Sequence, residues 1–356
     1  FGSSSVEASV SVRMLRAVLA LCSLGAAPAF PWPGLMFFPK DSIVGDVEPL
    51  SPDTLSQQVR SKAALIVGGT DGIGRGIALV LAQVGASVTV VGHSPEKAAW
   101  VVGNMSAKAR YPREQRFGAY TSDLFTVSGC LNLTRRLKAG KTGFDYVVLT
   151  VGTWPDRRDP RTSDGLDKVV ALDTLARWLL VRELVPLLRP KARVMSVLAS
   201  TVRLPPLPSI ETIKAVIKGD DAGRSTPAIL SSAAVAADAW MPTMAKMHPG
   251  LTLIGTWPGV VSTDLLKTYF PQWLYPIVRA AEKLVEISPE ECGRIHVQIL
   301  VSPNAERRPV TYFNINMEGR TTRQLAYDSA FQNWLWSFLE ETRSKHHGPD
   351  LHRLLV

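Results

Sequence analysis

Three cysteines in 356 residues, Cys22, Cys130 and Cys292, are too few and too unevenly spaced for a zinc site or a disulfide framework. They read as buried, inert thiols, and no metal is expected. Charge is scarce too: 20% of residues are charged against 46% hydrophobic, which excludes a disordered chain and suits a buried, sheet-rich core. The net charge of +9 favours anionic partners such as a dinucleotide, a nucleic acid or a membrane surface. Yet the basic residues are scattered, in pairs no longer than Arg135–Arg136, Arg157–Arg158 or Arg307–Arg308. Without a basic stripe and interleaved aromatics, nucleic acid is not expected as a partner. Internal repeats and low-complexity tracts are also missing. So is tyrosine, over the whole stretch between Tyr146 and Tyr269.

The front end is apolar. From Met14, 'MLRAVLALCSLGAAPAF' has a basic start at Arg16, an apolar core from Ala17 to Leu24 and an Ala27-Pro28-Ala29 triplet. That pattern predicts a cleavable signal peptide cut after Ala29, and with it entry into a secretory or organelle-import route; the cytoplasm is the other expectation. The uncharged run to Phe38 is long enough for an uncleaved membrane anchor, which Pro28, Pro31 and Pro33 disfavour. An apolar arm packed on the domain is the third reading. The residues before Met14 start with Phe1, as expected of a fragment or an extended reading frame.

Beyond a proline-rich linker ending near Pro52, strand-like and helix-like runs alternate. 'AALIVGG' is continuously apolar, as a strand buried on both faces must be, and 'GIALVLAQVG' has helical periodicity that stops at Gly85. Further strand-like runs are 'ASVTVVG', 'FDYVVLTVG', 'ARVMSVLAS', 'LTLIGTWPG' and 'VTYFNINMEG'. This alternation predicts an α/β fold: a doubly wound parallel sheet in a Rossmann-type three-layer sandwich, as a single domain. The expected boundaries are 1–44 for the targeting segment and linker, 45–325 for the nucleotide-binding domain and 326–356 for an aromatic helix and tail. Between Thr201 and Pro227 both periodicities lapse, and 'LPPLP' and 'KGDDAGRS' read as one long surface loop.

'VGGTDGIGRG', Val67 to Gly76, follows the first strand and opens the first helix of the alternating pattern. Glycines there let the backbone approach a pyrophosphate, whose charge the helix N-terminus holds. With that turn, the chain resembles the short-chain dehydrogenase/reductase family over roughly residues 60 to 320. Gly68, Asp71, Gly72, Ile73 and Gly74 lie in its T-G-x-x-x-G-x-G element, with Val67 in place of threonine. Asp123 and Leu124 resemble the pair that meets the adenine, and Gly152 is what remains of the N-N-A-G element in 'LTVG'. Pro258, Gly259 and Thr263 in 'WPGVVST' resemble the element that reaches the nicotinamide side. The second strand ends in 'VVGHS', where a carboxylate would select NAD by bonding the ribose 2′-hydroxyl. His93 and the nearby Arg75 favour NADP instead, with NAD the alternative; an ordinary loop histidine is the plainer reading of His93.

The family's proton-handling residues are where the resemblance fails. It implies a Tyr-x-x-x-Lys pair whose lysine lowers the tyrosine's pKa, a serine holding the substrate oxygen and an asparagine completing a relay. The usual separation from Pro258 places that pair at Ala228 and Ser232, and none of the seven tyrosines has a lysine four residues on. Ala199 aligns with the serine, with Ser200 beside it, and Asp173 stands for the asparagine. A lost general acid costs about 10²–10⁴-fold in rate. Ser200, Asp173 and Asp264 are the catalytic candidates, and the 'LTVG' with a long loop also resembles a divergent reductase subgroup.

Two functions are therefore expected: a carbonyl or alcohol oxidoreductase with an atypical proton relay, or a catalytically inactive dinucleotide-binding or scaffold protein. Trp273 and Tyr275 in 'FPQWLYP' are placed to wall an apolar small-molecule pocket. Phe331, Trp334, Leu335 and Phe338 share one helical face, which reads first as core packing and second as a homodimer interface.

Overall fold

Strand β1 (Ala63–Val67) is apolar and buried at every position, so it lies within a sheet covered on both faces. The computed structural model describes residues 40–41, 43–156, 158–198, 206–220, 223–259, 261 and 287–346. The other strands are β2 (Ser87–Gly92), β3 (Phe117–Thr121), β4 (Phe144–Leu149), β5 (Leu188–Val197), β6 (Thr252–Thr256), β7 (Val310–Phe313) and β8 (Gly319–Arg320). They form one sheet in the order β3-β2-β1-β4-β5-β6-β7-β8. Every neighbouring pair is parallel except β7 and β8. The order runs outward in both directions from β1 and β4, which is the doubly wound arrangement that the alternating pattern predicts. The antiparallel β8 is a departure from that pattern: 'VTYFNINMEG' turns back on itself through Asn314, whose Oδ1 accepts from Asn316 N and Glu318 N, both at 3.0 Å.

The sheet separates two apolar layers. Alternate residues of β1 face each way, Leu65 and Val67 to one layer and Ala64 and Ile66 to the other. Helices α1 (Pro52–Val59), α2 (Gly72–Val84), α3 (Pro95–Ala107) and α8 (Pro289–Val301) cover one face. The other face is covered by α4 (Val127–Ala139), α5 (168–184), α6 (Ile210–Ile217), α7 (Thr226–Met247) and α9 (Ser329–Lys345). Helix α5 is a composite of Lys168–Val170, a π-helical segment Ala171–Ala176 and Arg177–Leu184. Side-chain caps start most of these helices, among them Asp71 on α2, Ser225 on α7 and Ser288 on α8. Gly85 ends α2 in the left-handed conformation at φ 112°, as its position predicts.

Two expectations need correction. The stretch read as a single loop between Thr201 and Pro227 contains α6, capped by Ser209 and held down by the buried Ile213, Val216 and Ile217. Its apolar spacing is helical, but over eight residues the signal is masked by the flanking prolines and glycines. The linker is not wholly a linker either: Val44 is fully buried, Gln298 bonds both the amide and the carbonyl of Leu50, and Pro52 opens α1. Residues 1–39, carrying the expected targeting segment and Cys22, lie outside the described residues. Among those described, no helix is long and apolar enough to cross a membrane.

Candidate functional site

The glycine turn after β1 is shaped by close approach to the end of β4. Gly68 has φ 86°, and a Cβ there would lie 2.5 Å from Thr150 Oγ1 and 2.9 Å from Val151 N. On Gly74, one helical turn in, a Cβ would meet Gly68 O at 2.3 Å. Thr150 fastens the far side, donating from its amide and its hydroxyl to Val67 O at 2.8 and 3.0 Å. Turn, helix start and β4 end thus meet at the switch point between β1 and β4, where open α/β sheets bind ligands beyond their strand C-termini. Gly68, Gly72, Ile73 and Gly74 are brought together here with the first-turn amides of α2.

Asp71 caps α2 by accepting from Gly72 N at 2.8 Å, and its other oxygen bonds Lys97 of α3. Arg75 is 3.8 Å away and also lies over the Trp100 ring. Burial opposes ionisation of Asp71, but the Lys97 and Gly72 hydrogen bonds and both cations together hold it below the usual carboxylate range. Asp71 thus joins the glycine turn to α3 through Lys97, while β2 itself ends without a carboxylate. Sequence reasoning missed this pair, because Asp71 and Lys97 are distant along the chain. His93 is exposed on the bend after β2, and Ser94 caps α3. Asp123 Oδ1 accepts from Phe125 N at 2.9 Å and Leu124 is buried, which puts both on the same sheet edge after β3. Pro258 and Gly259 follow β6, with Gly259 at φ 73° against Ile315.

The inner part of the site is unusual. Helix α7 carries Ala228 and Ser232 where the resemblance places tyrosine and lysine. Ser232 is fully buried and its hydroxyl donates to Ala228 O at 2.7 Å, while Ser231 donates to Pro227 O at 2.7 Å. These hydroxyls serve the backbone of their own helix. Asp173 lies in the π-helical segment of α5, buried, with Oδ1 free of hydrogen bonds among the described residues. Gly152 passes directly over it: a Cβ there would lie 2.8 Å from Asp173 Oδ1. Burial pushes the Asp173 carboxyl up to about 7, partly offset by Arg177 and the Thr153 amide and reinforced by Asp167. Ala199, Ser200, Thr263, Asp264, Trp273 and Tyr275 lie outside the described residues.

Arg177 is a second residue that sequence reasoning missed. It is 1% exposed, and its Nη1 donates to Leu149 O at 3.2 Å and to Ser196 Oγ at 2.7 Å. Its Nη2 donates to Val151 O, and to Val197 O at 3.3 Å. The available signal is an arginine four residues after Asp173 in an otherwise apolar helix, 'ALDTLARWLLV'. The thiols are as expected: Cys130 and Cys292 are buried, and burial raises both, Cys292 to about 12.

Comparison with known proteins agrees with this geometry. The family model for short chain dehydrogenases matches residues 62–205. The chain is 29% identical over 257 residues to hydroxynaphthalene reductase arp2 of Aspergillus fumigatus, covering 69% of this chain and 87% of that protein. Among solved structures, a short chain dehydrogenase from Salmonella enterica serovar Typhi superposes with a TM-score of 0.56 at 19% identity, over 75% of this chain and 99% of that one. A Pseudomonas aeruginosa RhlG/NADP active-site complex gives 0.53 at 20% identity, over 75% and 98%. Both structural likenesses show the fold.

Proposed function

Since this chain belongs to the short-chain dehydrogenase/reductase family, we propose that it binds NADP(H) and interconverts a carbonyl and an alcohol with Asp173 as its proton-handling group. The observation that carries this reading is the close approach of Gly68, Gly74 and Thr150 at the switch point, a cradle in which a Cβ at either glycine would clash. That cradle fits a dinucleotide: the α2 amides would face the pyrophosphate, Asp123 and Leu124 the adenine, and Pro258 and Gly259 the nicotinamide side. The lack of a carboxylate on β2 and the exposed His93 after it support the 2′-phosphate form over NAD, while Lys97 and Arg75 are held by Asp71. The NADP in the RhlG complex is in keeping with that choice. A bound nicotinamide supplies the hydride. The chain supplies the proton: a carboxyl held at about 7 exchanges it near neutral pH, which general acid catalysis requires. An apolar substrate is proposed, on the reading of Trp273 and Tyr275 as pocket walls.

The inactive, scaffold reading is favoured by one observation, the closure of the Ser231 and Ser232 hydroxyls onto their own helix. Titrating NADPH and NADH into the full chain, followed by cofactor fluorescence, tests the first reading. Micromolar NADPH binding with weaker NADH supports it, and binding of neither at millimolar cofactor refutes it. If NADPH binds, a carbonyl-substrate screen with Asp173→Asn as control separates the two readings. Turnover lost in the variant supports catalysis through Asp173; no turnover in either protein supports the scaffold.

A further inference from the structure

We propose that Arg177 is a positioning residue: its guanidinium ties the C-terminal ends of β4 and β5 together and presents the Asp173 carboxyl beneath Gly152 as an exchangeable acid. The proposal rests on the reading of Asp173 as the proton-handling group.

The four acceptors of Arg177 are not a random set. Leu149 and Ser196 are the last register pair between β4 and β5, and Val151 and Val197 lie just beyond it. There the β4–β5 register ends, and Arg177 donates to three carbonyls and one hydroxyl around that end. A buried carbonyl without a donor is costly, and so is a buried guanidinium without acceptors; each solves the other's problem here. The fork of Arg suits this task, since one planar group reaches both strands. The distances also show what Arg177 does not do. Among the described residues no ion pair joins it to Asp173, and its Nε has no hydrogen-bond partner. The two side chains converge instead on one point, the missing Cβ of Gly152, 2.8 Å from Asp173 Oδ1 and 3.7 Å from Arg177 Nη2. A directly bonded pair would lock the carboxylate in its charged form. A guanidinium anchored on the strands, near the carboxyl but not bonded to it, leaves the proton exchangeable. The charged and titratable groups acting on the pair are few: Asp167 at the start of α5 acts on Asp173, and Asp238 of α7 acts on Arg177.

The test uses the full-length apo protein labelled at aspartate carboxyl carbons and titrated by NMR between pH 4 and 9. One carboxyl titrating near neutrality, and lost in Asp173→Asn, is expected in the parent. In Arg177→Gln or Arg177→Met the same carboxyl should titrate at least about one pH unit higher, because a nearby cation favours the ionised form. Arg177→Lys should return it to within about half a unit of the parent. No near-neutral carboxyl in the parent, or an unmoved one in a neutral variant that keeps its circular dichroism, overturns the proposal. If neither neutral variant folds, the lysine variant decides: displacement by more than about one unit despite the retained charge overturns it, and a parent-like titration supports it. Fluorescence titration with NADPH on the same samples keeps the two readings apart. Absent NADPH binding with the expected carboxyl shifts would remove the reductase reading and leave the Arg177–Asp173 relationship standing.

Discussion

Gly76 of α2 and Gly293 of α8 meet with no side chain between them. A Cβ on Gly76 would lie 1.8 Å from Pro289 O, and one on Gly293 would lie 2.5 Å from the carbonyl carbon of Gly76. Both obstacles are backbone, which cannot swing aside as a side-chain tip can. Gly76→Ala and Gly293→Ala should therefore each destabilise the protein by about 2–4 kcal/mol, at or beyond the upper end for inserting one methyl into a packed interior. Chemical denaturation checks this. Because α2 carries the glycine turn, the folded fraction of either variant should also bind NADPH more weakly.

Asp71 offers a test of cofactor choice. Its carboxylate holds Lys97 and lies 3.8 Å from Arg75, the cations that a 2′-phosphate would need. Asp71→Asn should release them and raise the preference for NADPH over NADH by about tenfold, the scale expected when a surface ion pair with the phosphate forms and a like-charge repulsion disappears. Lys97→Ala should lower it. Competitive fluorescence titrations read both ratios, and an unchanged ratio in both variants would remove this pair from cofactor selection.

Two buried groups give the stability opposite pH slopes over the same range. His296 is held down to about 4 by burial, opposed by its hydrogen bond to Cys292 O, and its Nε2 has no partner among the described residues. Below pH 6.5 the unfolded chain binds a proton here that the folded chain refuses, so stability falls as pH drops from about 6.5 to 4. Asp173, raised to about 7, keeps its proton in the folded state while the unfolded chain has lost it above about 4. Its contribution is therefore lost as pH rises from about 4 to 7, and the two slopes oppose each other. His296→Gln should expose the Asp173 slope, stability falling with rising pH. Asp173→Asn should expose the reverse, each by roughly 1 kcal/mol per pH unit. Urea denaturation at pH 4.5, 5.5 and 6.5 distinguishes the signs.

Helix α9 belongs to the core of its own domain. Leu335 and Phe331 are fully buried, Trp336 meets Trp178 edge to face at 5.5 Å, and Glu340 bonds Arg182 at 2.6 Å. Leu335→Ala should cost about 2–5 kcal/mol. Glu340→Gln, at a pair that is still partly solvated, should cost at most about 1 kcal/mol. Equal losses in a denaturant series would show that packing and charge contribute alike at this helix.

The amino-acid sequence determined the strand-and-helix alternation, the parallel doubly wound sheet and the glycine turn. Each of these rests on neighbours in the chain: unbroken apolar runs such as 'AALIV', the spacing of Gly68, Gly72 and Gly74, and Gly85 closing α2. The loss of the tyrosine–lysine pair was equally legible, since a residue type that is missing needs no structure to be seen. Helix α6 was hidden because its periodicity is shorter than its punctuation is loud. Tertiary structure alone decided the rest. Arg177 gains its meaning from four acceptors on two strands, Gly76 from a helix far along the chain, and Lys97 from Asp71 across a βα unit. Asp173 is an ordinary carboxylate in the sequence, and it becomes a near-neutral acid only because the fold removes it from water beneath Gly152. Desolvation and close approach depend on which distant segments meet, and that information is carried by the packed chain and not by any local stretch of it.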